Sequence, residues 1–280
     1  MTDHQTNTQV VVAFFDIDGT LYRDNFSAVL MEYLHIKEKI DPVHYQGLEN
    51  AFSMWRARKG TYDEVNNELI KSINNGLEGV LLSDVITASK YVATQGLERP
   101  YKFTHALLEA LKILQPRPLL IAISGSPLCV VEPYAQALGF DEVYATEFEV
   151  DDGRIRGGFE RAASPYHSKG LVCQGIASKH GFERIGECIR GAIAVGDARA
   201  DERMLSVVEF PLAFNPNAEL MALCRRQGIP AIIERKDVIL ALMTHWPDEL
   251  GAFEEVPIDD ILPRDLANLL QQSLPGIFAH

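Results

Sequence analysis

The chain has 280 residues, 47% of them apolar and 23% charged, with a net charge of −13. That is the composition of a soluble globular protein, long enough for one large core or for a core plus a smaller domain. The acidic balance argues against nucleic acid or an anionic membrane as the main partner, and leaves room for a small anionic substrate in a local positive pocket. No apolar stretch approaches the length of a membrane span, and Met1 to Gln9 is polar, without a signal-peptide core. Cys129, Cys173, Cys188 and Cys224 lie far apart with no C-x-x-C pattern. They read as small buried hydrophobes, and the expected location is the cytoplasm.

The first predicted strand, Val10–Phe15, is wholly apolar and runs into Asp16-Ile17-Asp18-Gly19-Thr20. A spacing of two puts both carboxylates on one side of an extended chain. Two buried like charges require a cation, so this box asks for a metal and sets a carboxylate nucleophile beside an acid/base. From about Asp24 to Pro100 the pattern is helical throughout. Phe26, Val29, Leu30, Tyr33 and Leu34 form one apolar stripe, and Ala51–Arg58, Tyr62–Ile73 and Ser83–Thr94 follow, punctuated by Gly60, Asn74-Asn75-Gly76 and Gly96. This reads as a helical domain inserted after the first strand.

Alternation of helix and strand then begins. Helix Phe103–Leu114 stops at Pro116 and Pro118, and strand Leu119–Ser124 ends in Ser124-Gly125-Ser126-Pro127, a natural phosphate-binding corner. Tyr144–Val150 and Ile155–Phe159 flank Asp151-Asp152-Gly153 as a β-hairpin. Lys169 lies near a helix start, after Pro165. Strand Ala192–Gly196 runs into Gly196-Asp197-Ala198-Arg199-Ala200-Asp201, and Leu212–Phe214 and Ala231–Glu234 supply two more strands. After Lys236, Asp237–Trp246 and Leu262–Ser273 read as helices divided by Pro247, Pro257 and Pro263.

The expected fold is therefore α/β, a doubly wound, Rossmann-like parallel sheet with an inserted all-helical cap and ligands beyond the carboxyl ends of the strands. Residues 9–22 and 104–235 form the core, 23–103 the cap and 236–280 a C-terminal helical extension. Taken singly, the later sites have plainer readings: Ser124 in an N-cap turn, Lys169 as a solvated surface lysine, Asp197 and Asp201 as helix-capping residues.

In their joint order, Asp16-Ile17-Asp18-Gly19-Thr20, Ser124, Lys169 and Gly196-Asp197…Asp201 resemble the four motifs of the haloacid dehalogenase (HAD) superfamily of aspartate-nucleophile phosphohydrolases. The helical insertion resembles that superfamily's C1 cap and places the chain near the phosphoserine-phosphatase-like subgroup. The resemblance covers residues 9–235. It implies that Asp16 attacks phosphorus to give an aspartyl-phosphate, and that Asp18 protonates the leaving alkoxide and then activates water. It implies Mg²⁺ held by Asp16, the backbone carbonyl of Asp18, and Asp197, with Asp201 helping directly or through water. Ser124, the Gly125 amide and Lys169 would hold the phosphoryl oxygens.

Two positions depart from the pattern. Phosphoserine phosphatases usually carry a glutamate early in the cap where this chain has Asn25, and many relatives have Asn where it has Ala200. Specificity is expected from the cap. Tyr22 and Arg23, directly after the first motif, are the foremost candidates. The cluster Trp55, Arg56, Arg58 and Lys59 offers a second, although an amphipathic helix with a solvated face explains it more simply. His167 reads as a surface or helix-start histidine. The expected activity is Mg²⁺-dependent hydrolysis of a small phosphorylated metabolite. A phosphotransferase to an acceptor hydroxyl uses the same groups, and a non-catalytic binding protein on the same fold is the rival of another class. Asp18, Asp197 and Asp201 argue against a dehalogenase.

Overall fold

The computed structural model describes residues 8–159, 169–244 and 252–275. Pro165, His167, Trp246, Pro247 and most of the polar N-terminus lie outside these residues.

A nine-stranded sheet forms the centre. An inner strand, β1 (Val12–Phe15), pairs in parallel with β2 (Leu119–Pro127) on one side and β7 (Cys188–Gly196) on the other. β3 (Glu142–Thr146) continues the sheet beyond β2, and β8 (Val208–Phe214) and β9 (Ala231–Arg235) continue it beyond β7, all in parallel. The short β6 (Arg184–Ile185) pairs antiparallel with β7.

β1 shows why the central strands read as unbroken apolar runs. Ala13 and Phe15 face one core cluster, Val12 and Phe14 the other, and all four are fully buried. The first cluster takes in α5 (Lys102–Ile113), α6 (Leu128–Ala137) and α10 (Arg264–Ser273). The second takes in α7 (Lys169–His180), α8 (Glu202–Ser206) and α9 (Ala218–Gln227). Helices thus cover both faces, and the fold is α/β.

Between β1 and α5 stand α1 (Phe26–Ile36), α2 (Pro42–Arg56), α3 (Tyr62–Gly76) and α4 (Leu82–Gly96). They pack around Leu30, Met31, Leu34, Leu48, Val65, Leu69, Ile73 and Val85. The insertion leaves and rejoins the sheet at one place, where Tyr22 and Pro100 form an antiparallel bridge.

The region after β3 differs from expectation. Tyr144–Val150 is not one strand: Tyr144 belongs to β3 of the main sheet, while β4 (Phe148–Asp151) turns away to pair with β5 (Arg154–Phe159). The turn itself is as read, with Asp152 and Gly153 both at positive φ, 47° and 72°. This hairpin docks on the α3–α4 loop. Gly79 N–H donates to Ile155 O at 2.7 Å, Ile155 N–H to Val80 O at 2.9 Å and Leu82 N–H to Gly153 O at 3.0 Å.

The C-terminal region corrects the sequence reading. Asp237–Trp246 is not a helix where it is described. β10 (Val238–Thr244) folds back on β9 through a two-residue turn, and β11 (Phe253–Glu255) adds to β10, both antiparallel. The run Val238–Met243 is apolar without a period, so periodicity alone did not separate strand from helix. The turn residue Lys236 sits at φ 56° with no Gly or Asn to announce it. Residues after 235 are therefore not a helical extension: two strands join the main sheet, and α10 buries Leu266, Ala267 and Leu270 in the core.

Candidate active site

The motif residues meet at the carboxyl ends of β1, β2 and β7. Asp16 follows β1 directly and is 5% exposed. Its Oδ1 accepts from Lys169 Nζ at 2.6 Å and its Oδ2 from Thr20 Oγ1 at 3.1 Å. Lys169 opens α7, is itself buried, and donates a second bond to Asp201 Oδ1 at 2.5 Å. Asp201 Oδ2 accepts from the Asp197 and Ala198 amides at 2.9 and 3.1 Å, which folds the loop after β7 around it. Asp16, Asp197 and Asp201 each offer a carboxylate oxygen within 4.8 Å of the others.

Gly19 closes the turn after Asp18 at φ 83°, and a Cβ there would lie 2.2 Å from Asp197 Oδ2. Only glycine lets the first loop approach the fourth motif this closely.

Asp18 is half-buried and held from two sides. The Phe26 amide, at the first turn of α1, donates to Oδ1 at 2.6 Å, and Ser124 Oγ donates to Oδ2 at 2.9 Å. Ser124 Oγ in turn accepts from the Ser126 amide at 3.0 Å, and the Ser126 hydroxyl meets Ser27 of α1 at 2.9 Å. Gly125 is exposed, and its carbonyl accepts from Thr146 Oγ1 at 2.8 Å.

The electrostatics are those of crowded carboxylates. Burial, then Asp201 and Asp18, push Asp16 up to about 7 against the pull of Lys169. Burial followed by the charges of Asp16 and Asp201 raises Asp197 well above the usual range. Burial also raises Asp18, while the bonds from Phe26, Ser126 and Ser124 hold it down. For Lys169, burial opposes the charge, but Asp16 and Asp201 outweigh it and keep the ammonium protonated. One ammonium facing four carboxylates leaves the cluster short of positive charge. The donor set, carboxylate oxygens of Asp16, Asp197 and Asp201 within 4.8 Å of one another, fits a small divalent cation.

The site and the sheet behind it have clear parallels. Residues 13–206 match the model of the haloacid dehalogenase-like hydrolase family. The chain belongs to this family. A phosphoserine phosphatase of Archaeoglobus fulgidus is 24% identical to this HAD-like chain over 160 residues, 54% of this chain and 45% of that protein. The alignment thus spans less than half the length of that curated relative. Two solved structures share the fold. One is a phosphoserine phosphatase determined as a phospho-aspartyl intermediate analogue, with TM-score 0.57, 19% identity, and 81% of this chain and 95% of that one covered. The other is a protein of unknown function from Bordetella pertussis Tohama I, with TM-score 0.60, 18% identity, and 81% and 99% covered.

The remaining candidates of this HAD-like chain are placed as follows. Tyr22 is buried and its ring stacks on Phe26 at 4.0 Å. Arg23 is already engaged: Nη2 donates to Glu234 Oε1 at 2.7 Å, Nε to Pro100 O at 2.9 Å, and the guanidinium lies 4.4 Å from the Tyr101 ring centroid. Glu234 also accepts from the Lys102 and Phe103 amides at 3.2 and 2.9 Å, so it caps α5. Arg56 is exposed on α2, beside the Phe52 ring. Asn25 is the N-cap of α1, its Oδ1 accepting from the Ala28 amide at 3.0 Å. Ala200 lies in the 3₁₀ turn Arg199–Asp201.

Sequence reasoning missed Thr20, Ser126, Ser27 and Tyr62. Thr20 stood inside the first motif, and its spacing of four from Asp16 was a usable signal. Tyr62 had none: it begins α3, far along the chain, yet burial and then the charges of Asp197, Asp18 and Asp16 raise its hydroxyl pKa.

Proposed function

We infer that this protein hydrolyses a small phosphomonoester through an aspartyl-phosphate on Asp16, with Mg²⁺ as cofactor. The observation that carries this reading is the buried convergence of Asp16, Lys169 and Asp201, with Asp197 within coordination reach and Asp18 alongside.

We assign Asp16, Asp197 and the Asp18 carbonyl to the cation. Both oxygens of Asp201 are engaged by Lys169 and two amides, so we assign Asp201 to orienting that lysine and the loop. When bound, Mg²⁺ supplies positive charge for the carboxylates and for the phosphoryl oxygens. Asp16 attacks phosphorus as the bond to the ester oxygen breaks, and the leaving oxygen takes its proton from Asp18. Burial raises the Asp18 pKa, the direction that favours its role as an acid. Asp18 then accepts a proton from water as that water attacks phosphorus and frees Asp16. Lys169 stabilises charge on the transferring group, and Ser124 changes partner between Asp18 and a phosphoryl oxygen. Residues 23–103 act as the cap over this chemistry.

Phosphate release from a panel of phosphomonoesters, with Mg²⁺ and with chelator, tests the reading. Asp16→Asn is expected to lose at least about a thousandfold in kcat, and chelation to abolish release. Undiminished release by the variant would overturn the covalent mechanism. Added alcohols distinguish hydrolysis from transfer, since a phosphotransferase would yield new esters.

A further inference from the structure

The loop after β8 reads Asn215-Pro216-Asn217 and takes no part in the chemistry proposed above. It sits on the rim of the site. β8 runs beside β7 with Ala213 opposite Gly196, so the loop that follows lies against Asp197. The contact is direct: Asn217 N–H donates to Asp197 O at 2.9 Å. On the other side, Asp197 N–H donates to Asp201 Oδ2 at 2.9 Å. The main chain of Asp197 is thus gripped at both ends. That grip aims a carboxylate that accepts no hydrogen bond among the described residues.

Asn215 sets the path of this loop. Its φ is 42°, in the left-handed region, and the proline after it narrows its choices further. A residue held there persists only where its surroundings over-determine it. Here β9 does so twice. Asn215 N–H donates to Ile232 O at 2.8 Å, and Asn215 Oδ1 accepts from Glu234 N–H at 2.8 Å. Asparagine meets both demands, tolerating positive φ and offering a short acceptor. Asn217 completes the loop, its Oδ1 accepting from Leu220 N–H at 2.9 Å to cap α9.

Glu234 carries the grip outward. Its side chain is 2% exposed, and a charge so buried is retained only when paired. Its partners are Arg23 Nη2 and the Lys102 and Phe103 amides. Arg23 leaves the first motif, and Lys102 and Phe103 return from the inserted helices, so one carboxylate ties both arms. Arg23 lies against the Tyr101 ring, which in turn meets Phe214, the residue before Asn215, edge to face with centroids 4.8 Å apart.

We propose that Asn215 is a positioning residue for the cation site, with the Arg23–Glu234 pair as its anchor. The bond from Glu234 N–H fixes the left-handed turn, the turn presents Asn217 N–H to Asp197, and Asp197 meets the cation at a set angle. Arg23, although adjacent to the first motif, serves the metal rather than the substrate. This role rests on the assignment of Asp197 to Mg²⁺.

Calorimetric titration of Mg²⁺ into the whole protein tests the proposal, at a temperature where circular dichroism shows each variant folded. Asn215→Gly keeps positive φ accessible and removes only the side-chain acceptor. It is expected to bind Mg²⁺ about tenfold more weakly, the effect of losing a group that orients a metal ligand. Wild-type affinity would overturn the proposal, because a merely structural Asn215 moves the melting temperature and not the affinity. Arg23→Ala is expected to weaken Mg²⁺ binding about threefold. Combined with Asn215→Gly, it should lose less than the product of the two single effects, as residues in one network do. Independent effects would overturn the anchor. So would a raised KM in Arg23→Ala with Mg²⁺ affinity unchanged, which would return Arg23 to the substrate. If Arg23→Ala does not fold, Asn215→Gly still decides. Asp197→Asn checks the premise. If it binds Mg²⁺ as the wild type does, or the wild type binds none, the cation reading fails and the proposal falls with it. A large loss in Asp197→Asn beside an unaffected Asn215→Gly would overturn the proposal alone.

Discussion

At the scale of single residues, the site is held by geometry that small changes break. Gly19 combines φ 83° with a forbidden Cβ position against Asp197. Gly19→Ala is expected to cost about 1–3 kcal/mol of stability and to weaken Mg²⁺ binding, which calorimetric titration would measure. Wild-type affinity in the variant would mean that Asp197 is not a ligand. Asp16 makes a pH prediction with a definite sign. Its pKa rises from 3.8 to about 7 on folding, so the folded state holds a proton in that window. The stability this contributes is complete below 3.8 and is lost as pH rises through 7. Chelated wild type should therefore melt lower at pH 8 than at pH 5.5, and Asp16→Asn should flatten that slope. Calorimetric scans from pH 4 to 8 in chelator would settle it, and an identical slope in both proteins would count against a protonated Asp16. The acids, Ser124 and Lys169 were legible because each ends a strand or opens a helix at family spacing. The orientation of Arg23 was not, because adjacency to a motif does not say which carboxylate a guanidinium finds, and Glu234 lies 211 positions away.

At the scale of elements, α1 links cap and chemistry through its first turn. Asn25 caps the helix whose Phe26 amide holds Asp18. Asn25→Ala is expected to cost about 1 kcal/mol and to lower kcat more than it changes KM, whereas Asn25→Asp, which keeps the capping oxygen, should retain both. Steady-state kinetics and urea melts on the two variants make the comparison, and equal loss in both would place the role of Asn25 outside the cap. The first inserted helix was readable from its apolar stripe and α3 and α4 close to their bounds, whereas α2 was read only as Ala51–Arg58 and in fact begins at Pro42, with Leu48 its one fully buried residue. β10 was not, because a strand with both faces partly covered carries no alternation to read.

At the scale of the molecule, the C-terminal residues belong to the sheet and its core. Leu270 is fully buried in the main cluster beside α5. Leu270→Ala is expected to cost about 2–5 kcal/mol, read as a shift of the urea midpoint. A change near zero would restore the view of this segment as an appendage. The parallel sheet itself was visible in the sequence, as apolar runs ending in Ser, Gly or Asp. Its antiparallel edge was hidden by the turn Lys236-Asp237, which carries no Gly, Asn or Pro.

The bridge between Tyr22 and Pro100 bears on how such a protein can diversify. An excursion that departs and returns through one doorway leaves the register of β1 against its neighbours untouched, whatever its length, because loop closure depends only weakly on loop size. The helices can be exchanged for those of a relative as one cassette, provided the graft keeps the face of Phe26, Val92 and Gly96 that fits Tyr134.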